Sequence, residues 1–316
     1  MSSTELLTRA NSIDRALDQI GDKWSMLIIQ EVFWGIHSFT GLLKETGASR
    51  GVLTDRLAWL VNIGCLKKQI PENGGKRAEY HLTSKSIEMH PLALMALEWE
   101  RRFSPCEEIE KLTLTHRGCG SIFHPKMCCD HCGEEVRAED ISYREGPGAT
   151  KDLRKKKVRR RSSVAIEKVP TSRTLYKNLI SIVGDRWTAN VISLAFQKLK
   201  RFDEFHQDLP IATNILSDRL RFLTSEGIFE QVPYQQQPLR LEYHLTTKGK
   251  ALFPYFLALF QWGSKWCDRG AGEPMQLYHD TCGKHLSARI VCDQCRQPLG
   301  EHDVEYHFFR DLSLSQ

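Results

Sequence analysis

Gly21-Asp22-Lys23-Trp24 returns 163 positions later as Gly184-Asp185-Arg186-Trp187. The same step carries Phe39 to Phe202, and Leu53, Asp55, Arg56 and Leu57 to Leu216, Asp218, Arg219 and Leu220. It also carries Gly64 to Gly227 and Tyr80-His81-Leu82-Thr83 to Tyr243-His244-Leu245-Thr246. His116, Cys119, Cys129 and Cys132 land on His279, Cys282, Cys292 and Cys295, and Tyr143 lands on Tyr306. One offset holds without a gap from about residue 13 to residue 143. Such a period means one long unit used twice, not a solenoid of short repeats.

Within the first copy, apolar residues at 13, 16, 17 and 20 give Ile13 to Ile20 a helical face. Trp24 to Trp34 is a second, mostly buried helix, broken by Gly35. Phe39 to Thr46 is a short third helix, and Gly47-Ala48 a tight turn. Ser49 is placed to cap a fourth helix that runs to Ile63 and ends at a left-handed Gly64. Cys65 to Ile70 and Ala78 to Leu82 are strand-like, flanking the turn cluster Pro71-Glu72-Asn73-Gly74-Gly75. Helix resumes from Ser84. The second copy repeats the plan with helices at 175–183, 187–196, 202–208 and 213–226, a hairpin over 228–245, and a closing helix from about Pro254.

The totals agree with two domain pairs. A chain of 316 residues with 41% hydrophobic content carries ordinary globular cores. It has no apolar run long enough to span a bilayer, and Met-Ser-Ser-Thr-Glu-Leu-Leu lacks the features of a signal peptide, so a cytoplasmic location is expected. There the ten cysteines are read as thiols or metal ligands rather than disulfides. Net charge is +5, but Lys151 to Arg161 alone holds +7, which leaves −2 for the rest. A cationic arm on a near-neutral body points to a polyanion. A solvated linker is the other reading of that segment.

Helix, helix, short helix–turn–helix and β-hairpin is the order of a winged helix–turn–helix. The residues resemble one family in particular, the HxlR-type bacterial transcriptional regulators. The resemblance rests on Ile20-Gly21-Asp22-Lys23-Trp24, Phe39, Leu53-Thr54-Asp55-Arg56-Leu57, Ile63-Gly64-Cys65-Leu66, and Arg77-Ala78-Glu79-Tyr80 leading into Leu82-Thr83. The second copy carries Val183-Gly184-Asp185-Arg186-Trp187, Leu216-Ser217-Asp218-Arg219-Leu220 and Arg240-Leu241-Glu242-Tyr243. It implies a regulator that binds double-stranded DNA and normally acts as a homodimer. Members usually carry one winged helix per chain, so this chain is a tandem form. Many also carry a Cys just before the first helix, which some use as a redox sensor; here Asn11-Ser12 and Thr174-Leu175 stand there.

A recognition helix buries one face and offers the other to the major groove. Leu53, Leu57 and Leu60 anchor the first, leaving Arg50, Gly51, Thr54, Asp55 and Ala58 outward. Arg50 suits a bidentate guanine contact. The second offers Thr213, Asn214, Ser217, Asp218 and Arg221, where Asn214 suits adenine and Arg221 guanine or phosphate. The unlike faces predict unlike half-sites. Lys76, Arg77 and Arg240 stand at the wings, and Arg154, Lys155, Lys156, Lys157, Arg159, Arg160 and Arg161 belong to the arm. For Arg56 and Arg219 a structural ion pair is the preferred role.

Each closing helix is followed by His-x-x-Cys, a spacer and Cys-x-x-Cys. Two such knuckles make a closed, structural zinc site. Spacing within each copy pairs His116/Cys119 with Cys129/Cys132, and His279/Cys282 with Cys292/Cys295, for about two ions per chain. Metal-free thiol hairpins are the competing reading. His124, Cys128 and His131 have no ligand at the matching positions and are set aside.

The expected fold is mainly α with small β-hairpins (α+β). It has winged-helix domains over 12–103 and 173–267, zinc-ribbon-like modules over 104–146 and 268–316, and a basic linker over 147–172. The expected function is promoter recognition by two winged helices in one chain, with recognition helices about one turn of DNA apart, roughly 34 Å, if the chain acts as a pseudo-dimer. A homodimer through the closing helices is the other arrangement. The alternative function is a protein–protein adaptor or effector- or redox-sensing module in which one or both winged helices no longer read DNA. No phosphate loop, nucleophile elbow or paired-acid motif points to an enzyme, and no membrane partner or effector is legible.

Overall fold

The computed structural model describes residues 6–71, 77–154 and 175–308. A strand β1 (Leu6–Arg9) leads into α1 (Ser12–Ile20), α2 (Lys23–Phe33), α3 (Phe39–Thr46) and α4 (Arg50–Asn62). A hairpin β2 (Leu66–Gln69) and β3 (Glu79–Leu82) follows, then α5 (Ser84–Ile87) and α6 (His90–Phe103). Sequence reads one helix from Ser84, but there are two. Pro91, which lacks an amide proton, sits in the first turn of α6. A short α7 (Glu107–Glu110) precedes β4 (Leu112–His116), β5 (Pro125–Cys129), β6 (Ile141–Glu145) and β7 (Lys151–Arg154).

The second copy runs α8 (Lys177–Val183), α9 (Arg186–Phe196), α10 (Phe202–Asp208), α11 (Thr213–Ser225), β8 (Phe229–Gln235) and β9 (Arg240–Leu245). It closes with α12 (Thr247–Lys250), α13 (Phe253–Trp266), β10 (Met275–His279), β11 (Lys284–His285), β12 (Ala288–Cys292) and β13 (Val304–Phe308).

The repeated phrases have local causes. Asp22 Oδ1 accepts from the amides of Trp24 and Ser25, and Asp185 Oδ1 accepts from Thr188, so this Asp caps the second helix of each copy. A Cβ on Gly21 would stand 2.5 Å from Leu17 O, and one on Gly184 2.4 Å from Ile180 O, so only glycine fits the turn before that cap. Thr83 and Thr246 donate to the carbonyls of Gly64 and Gly227, both at 2.6 Å, pinning each wing to the end of its recognition helix.

The described residues fall into two compact units, and these do not coincide with the two sequence copies. The first unit takes 6–26, 137–154 and 180–285; the second takes 27–71, 77–136, 175–179 and 286–308. Each unit therefore combines both copies.

In the first unit, α1 from copy one packs on α13 from copy two. Ile13, Ala16, Leu17 and Ile20 are its buried face. The helices approach closely because Gly263 has no side chain: a Cβ there would be 2.3 Å from Ser12 O. β6 pairs antiparallel with β10, Tyr143 opposite Leu277. β1 pairs with β7, Leu7 opposite Leu153.

That last pairing departs from the expected linker. The basic stretch does not begin as free chain; its first four residues form β7. The physical reason is Asp152, the one acid among those bases. It is buried and holds Arg15 Nε at 2.8 Å and Arg269 Nη1 at 3.1 Å. The backbone of Arg154 lies on this strand.

In the second unit, β5 pairs with β12 and β4 with β13, again joining the copies. Glu100 of α6, 1% exposed, accepts from the Leu179 amide at 2.6 Å and Asn178 Nδ2 at 3.0 Å. The start of copy two's first helix is thus fastened to copy one's closing helix.

Candidate nucleic-acid interface and metal centre

α4 begins where Ser49 Oγ accepts from the Val52 amide, and ends where Gly64 turns left-handed at φ +73°. Leu53, Leu57 and Leu60 are buried, while Arg50, Gly51, Thr54, Asp55 and Ala58 are all exposed. The Arg50 guanidinium stands 5.9 Å from the Phe39 ring centroid, a cation–π contact. Ser49→Ala removes the cap and is expected to cost about 1 kcal/mol, read as a lower Tm.

α11 is anchored by buried Leu216, Leu220 and Leu223. Thr213, Asn214, Asp218 and Arg221 are exposed and Ser217 is half-buried. Arg221 Nη1 lies 3.0 Å from Asp218 Oδ1, so these two expected readers partner each other on the free face. Arg219 turns inward, its Nη2 donating to Asp185 Oδ2 at 3.1 Å, and joins the recognition helix to the cap of α9.

Arg77 and Arg240 are exposed at the wings. Sequence reasoning passed over Lys67 and Lys68, consecutive and exposed on β2. The signal was there: the matching residues are Glu230 and Gln231, so only the first wing is basic along this strand. The second wing instead stacks Arg201 on Tyr234, 4.2 Å from its centroid, and pairs it with Glu242 at 2.9 Å. Lys76 and the arm residues Lys155, Lys156, Lys157, Arg159, Arg160 and Arg161 lie outside the described residues.

The metal ligands are reassembled relative to their spacing. His116 and Cys119 meet Cys292 and Cys295, not Cys129 and Cys132, and their ligand atoms all lie within 4.8 Å of one another. His116 Nδ1 is 3.3 Å from both Cys119 Sγ and Cys295 Sγ, and Cys119 Sγ is 3.9 Å from Cys292 Sγ. Those spacings match the edges of a tetrahedron of the size that zinc would require, since ~2.3 Å bonds to sulfur set thiolates ~3.8 Å apart.

The exchange follows from strand pairing. Antiparallel β5 and β12 set Cys292 opposite Pro125, and β4 beside β13 holds His116 opposite Val304. His279 Nδ1 and Cys282 Sγ lie 3.6 Å apart in the first unit, whereas Cys129 and Cys132 belong to the second.

Each knuckle closes on a left-handed residue: Gly120, Gly133 and Gly283 at φ +68° to +74°, and Arg296 at +62°. Arginine tolerates that strained turn with its Nη2 donating to Gly133 O at 2.7 Å. The Ser121 amide points at Cys119 and pulls its thiol down to about 6. Burial pushes the Cys292 thiol up. A divalent cation favours the thiolate at both, because coordinated thiols are deprotonated outright.

Two wings, two recognition helices and one repeated core define a tandem winged helix–turn–helix protein. The family model for HxlR-like helix-turn-helix matches residues 19–108 and again 182–271, together more than half the chain. The chain belongs to the HxlR-like helix-turn-helix family, in tandem form, and is a DNA-binding transcriptional regulator.

It is 38% identical over 125 residues to the uncharacterized HTH-type transcriptional regulator Mb3122 of Mycobacterium bovis, which spans 40% of this chain and 79% of that one. It is 30% identical over 95 residues to the HTH-type transcriptional regulator YodB of Bacillus subtilis, covering 30% and 85%. Among solved structures, the redox regulator HypR in its reduced form matches at 30% identity and TM-score 0.29, covering 30% of this chain and 95% of that chain. Reduced YodB matches at 30% identity and TM-score 0.27, covering 30% and 94%. No helix among the described residues is long and apolar enough to cross a membrane.

Proposed function

We propose that this chain reads an asymmetric promoter site with two winged helices carried in one polypeptide, using zinc as a structural clasp. The observation that carries the reading is the build of each unit from both copies. α1 of copy one on α13 of copy two supplies, inside one chain, the kind of pairing that a homodimer makes between chains. The recognition faces differ, with Arg50 and Thr54 on α4 against Asn214 and Ser217 on α11, so the half-sites differ. Arg77, Arg240, Lys67 and Lys68, with Lys76 and the arm from Arg154 to Arg161, add phosphate or minor-groove contact. Bound in this way, the protein occludes a promoter or recruits to it.

The Cys-rich segments act as zinc-ribbon-like modules holding about two ions per chain. His116, Cys119, Cys292 and Cys295 hold the first. Cys129, Cys132, His279 and Cys282 are the images of those four under the 163-residue step and repeat their ligand types. Four protein ligands leave no open position, so the metal braces the fold and supplies no chemistry.

Selection of bound sequences from a random DNA pool by the intact chain tests the reading. A motif of two unlike half-sites is expected. Substitutions on α4 should alter one half of that motif and substitutions on α11 the other. Enrichment of nothing over a range of salt would sink DNA reading in favour of an adaptor.

A further inference from the structure

The second unit carries a half-open groove of about 260 Å³. Its apolar walls are Ile109 of α7, Leu112 and Leu114 of β4, and the neighbouring Ile122. Arg101 and Glu110 add one charge of each sign to the lining. Ile122 is 61% exposed, so a large apolar side chain stands in water at this place. A small-molecule pocket encloses most of its ligand. A hollow open along one side suits the side chains of a passing stretch of polypeptide.

The first unit shows what lies at the matching place. The 163-residue step carries Ile109, Glu110 and Leu112 to Gly272, Glu273 and Met275. There the chain leaving β6 runs on alongside the segment that enters β10. The Gly148 amide donates to Glu273 O at 3.0 Å, and the Gly146 amide to Pro274 O at 3.1 Å. The two backbones nearly touch: a Cβ on Gly148 would stand 2.1 Å from Gly272 O, and one on Gly146 2.2 Å from Glu273 O. Gly148 is buried by this arrangement.

The same step carries Gly146, Pro147 and Gly148 to Phe309, Arg310 and Asp311. These directly follow β13, whose last residue, Phe308, pairs with Leu112 on the groove wall. The chemistry of the two places differs. In the first unit glycine lies against glycine, and main chain covers main chain. In the second, Ile109 stands for Gly272 and Phe309 for Gly146. Side chains bar so close a backbone approach, and the space between has to be filled by side chains instead.

We propose that this groove is the docking site for the chain's own residues 309–316, which lie outside the described residues. Phe309, Leu312 and Leu314 are the apolar groups of that segment, and Arg310 and Asp311 complement Glu110 and Arg101 in sign. The segment starts at the groove, because Phe308 is already held opposite Leu112. A short tether of this kind gives an effective concentration in the millimolar range, so a contact that is weak for a free peptide is well occupied within the chain.

A chain ending at Phe308 and a labelled peptide of residues 309–316 test this by fluorescence anisotropy, without any reference to DNA. The shortened chain is expected to bind the peptide, and the intact chain at least about tenfold more weakly because its groove is filled. Ile122→Asp in the shortened chain should weaken the peptide at least about tenfold, and the exposure of Ile122 lets the fold accept the change. No binding of millimolar peptide to the shortened chain, equal binding by the shortened and intact chains, or undiminished binding by Ile122→Asp overturns the proposal. Should the shortened chain fail to fold, the intact chain carrying Phe309→p-benzoylphenylalanine gives the answer. Irradiated, it is expected to crosslink within one chain to Ile109, Leu112, Leu114 or Ile122, as mapped by mass spectrometry. Crosslinks that fall elsewhere, or only between two chains, overturn the proposal equally.

Discussion

Replacing Cys119 and Cys292 together by serine is expected to leave about one tightly held zinc per chain, measured on protein purified without chelator. Both residues belong to the same four-ligand cluster, so the double variant damages one site and spares the other. Had each copy kept its own ligands, the same pair of changes would strike both sites. The companion variant, Cys119→Ser with Cys129→Ser, inverts the logic: one residue lies in the first cluster and the other does not, so both sites suffer. Equal zinc loss in the two variants would refute the exchanged arrangement.

Stability should fall with the metal. Free energy of metal binding is folding free energy when the unfolded chain has no preformed site. In the first double variant, loss of one structural zinc is expected to cost several kcal/mol, enough to lower the Tm by about 10 °C or more in a domain of this size. The effect should be largest around β4, β5, β12 and β13, where hydrogen-exchange protection reads it directly.

Arg50→Ala is expected to weaken binding at one half-site by about 1–3 kcal/mol, or roughly 5- to 150-fold. The residue sits in the first turn of α4, exposed, in ring contact with Phe39. The fold should tolerate its loss, and the Tm should barely move. The loss should fall on one base position, with the preference of the α11 half unchanged. Lys67→Ala makes the contrast. A phosphate contact on β2 weakens all sequences alike and lowers the salt slope by about one. If Arg50→Ala also weakened every sequence equally, its role would be phosphate contact rather than base reading.

Much of this was legible in the residues. The single offset located both copies, and Ser49, Gly64 and the Leu53/Leu57/Leu60 ladder fixed a helix, its ends and its free face. These features are local: a cap acts within three residues, and a helical stripe repeats every three or four. The ligand types at the metal centre were legible for the same reason, since a knuckle needs its Cys-x-x-Cys or His-x-x-Cys spacing. Which knuckles meet was not. That depends on β5 choosing β12 as its neighbour, and strand partners far apart in sequence leave no mark in local spacing. Asp152 shows the same limit. In sequence it is one acid diluted by eight bases; in the structure it is buried under Arg15 and Arg269 and turns the start of a charged run into a strand. Tyr143 and Tyr306 match as letters, yet among the described residues only Tyr306 has a hydroxyl partner, because its partner His90 is Phe253 in the other copy.

The combination of both copies in each unit bears on how such a protein can change over generations. In a homodimer every mutation is written twice, once in each subunit, so a gain on one side is bound to its consequence on the other. Here Gln197 could replace a tryptophan while Trp34 stayed, and Glu230 could stand where Lys67 stands, at the cost of one event each. Joining the copies head to tail lets the wings and the recognition faces each drift on one side alone, while the shared framework keeps the two sides in one heritable piece.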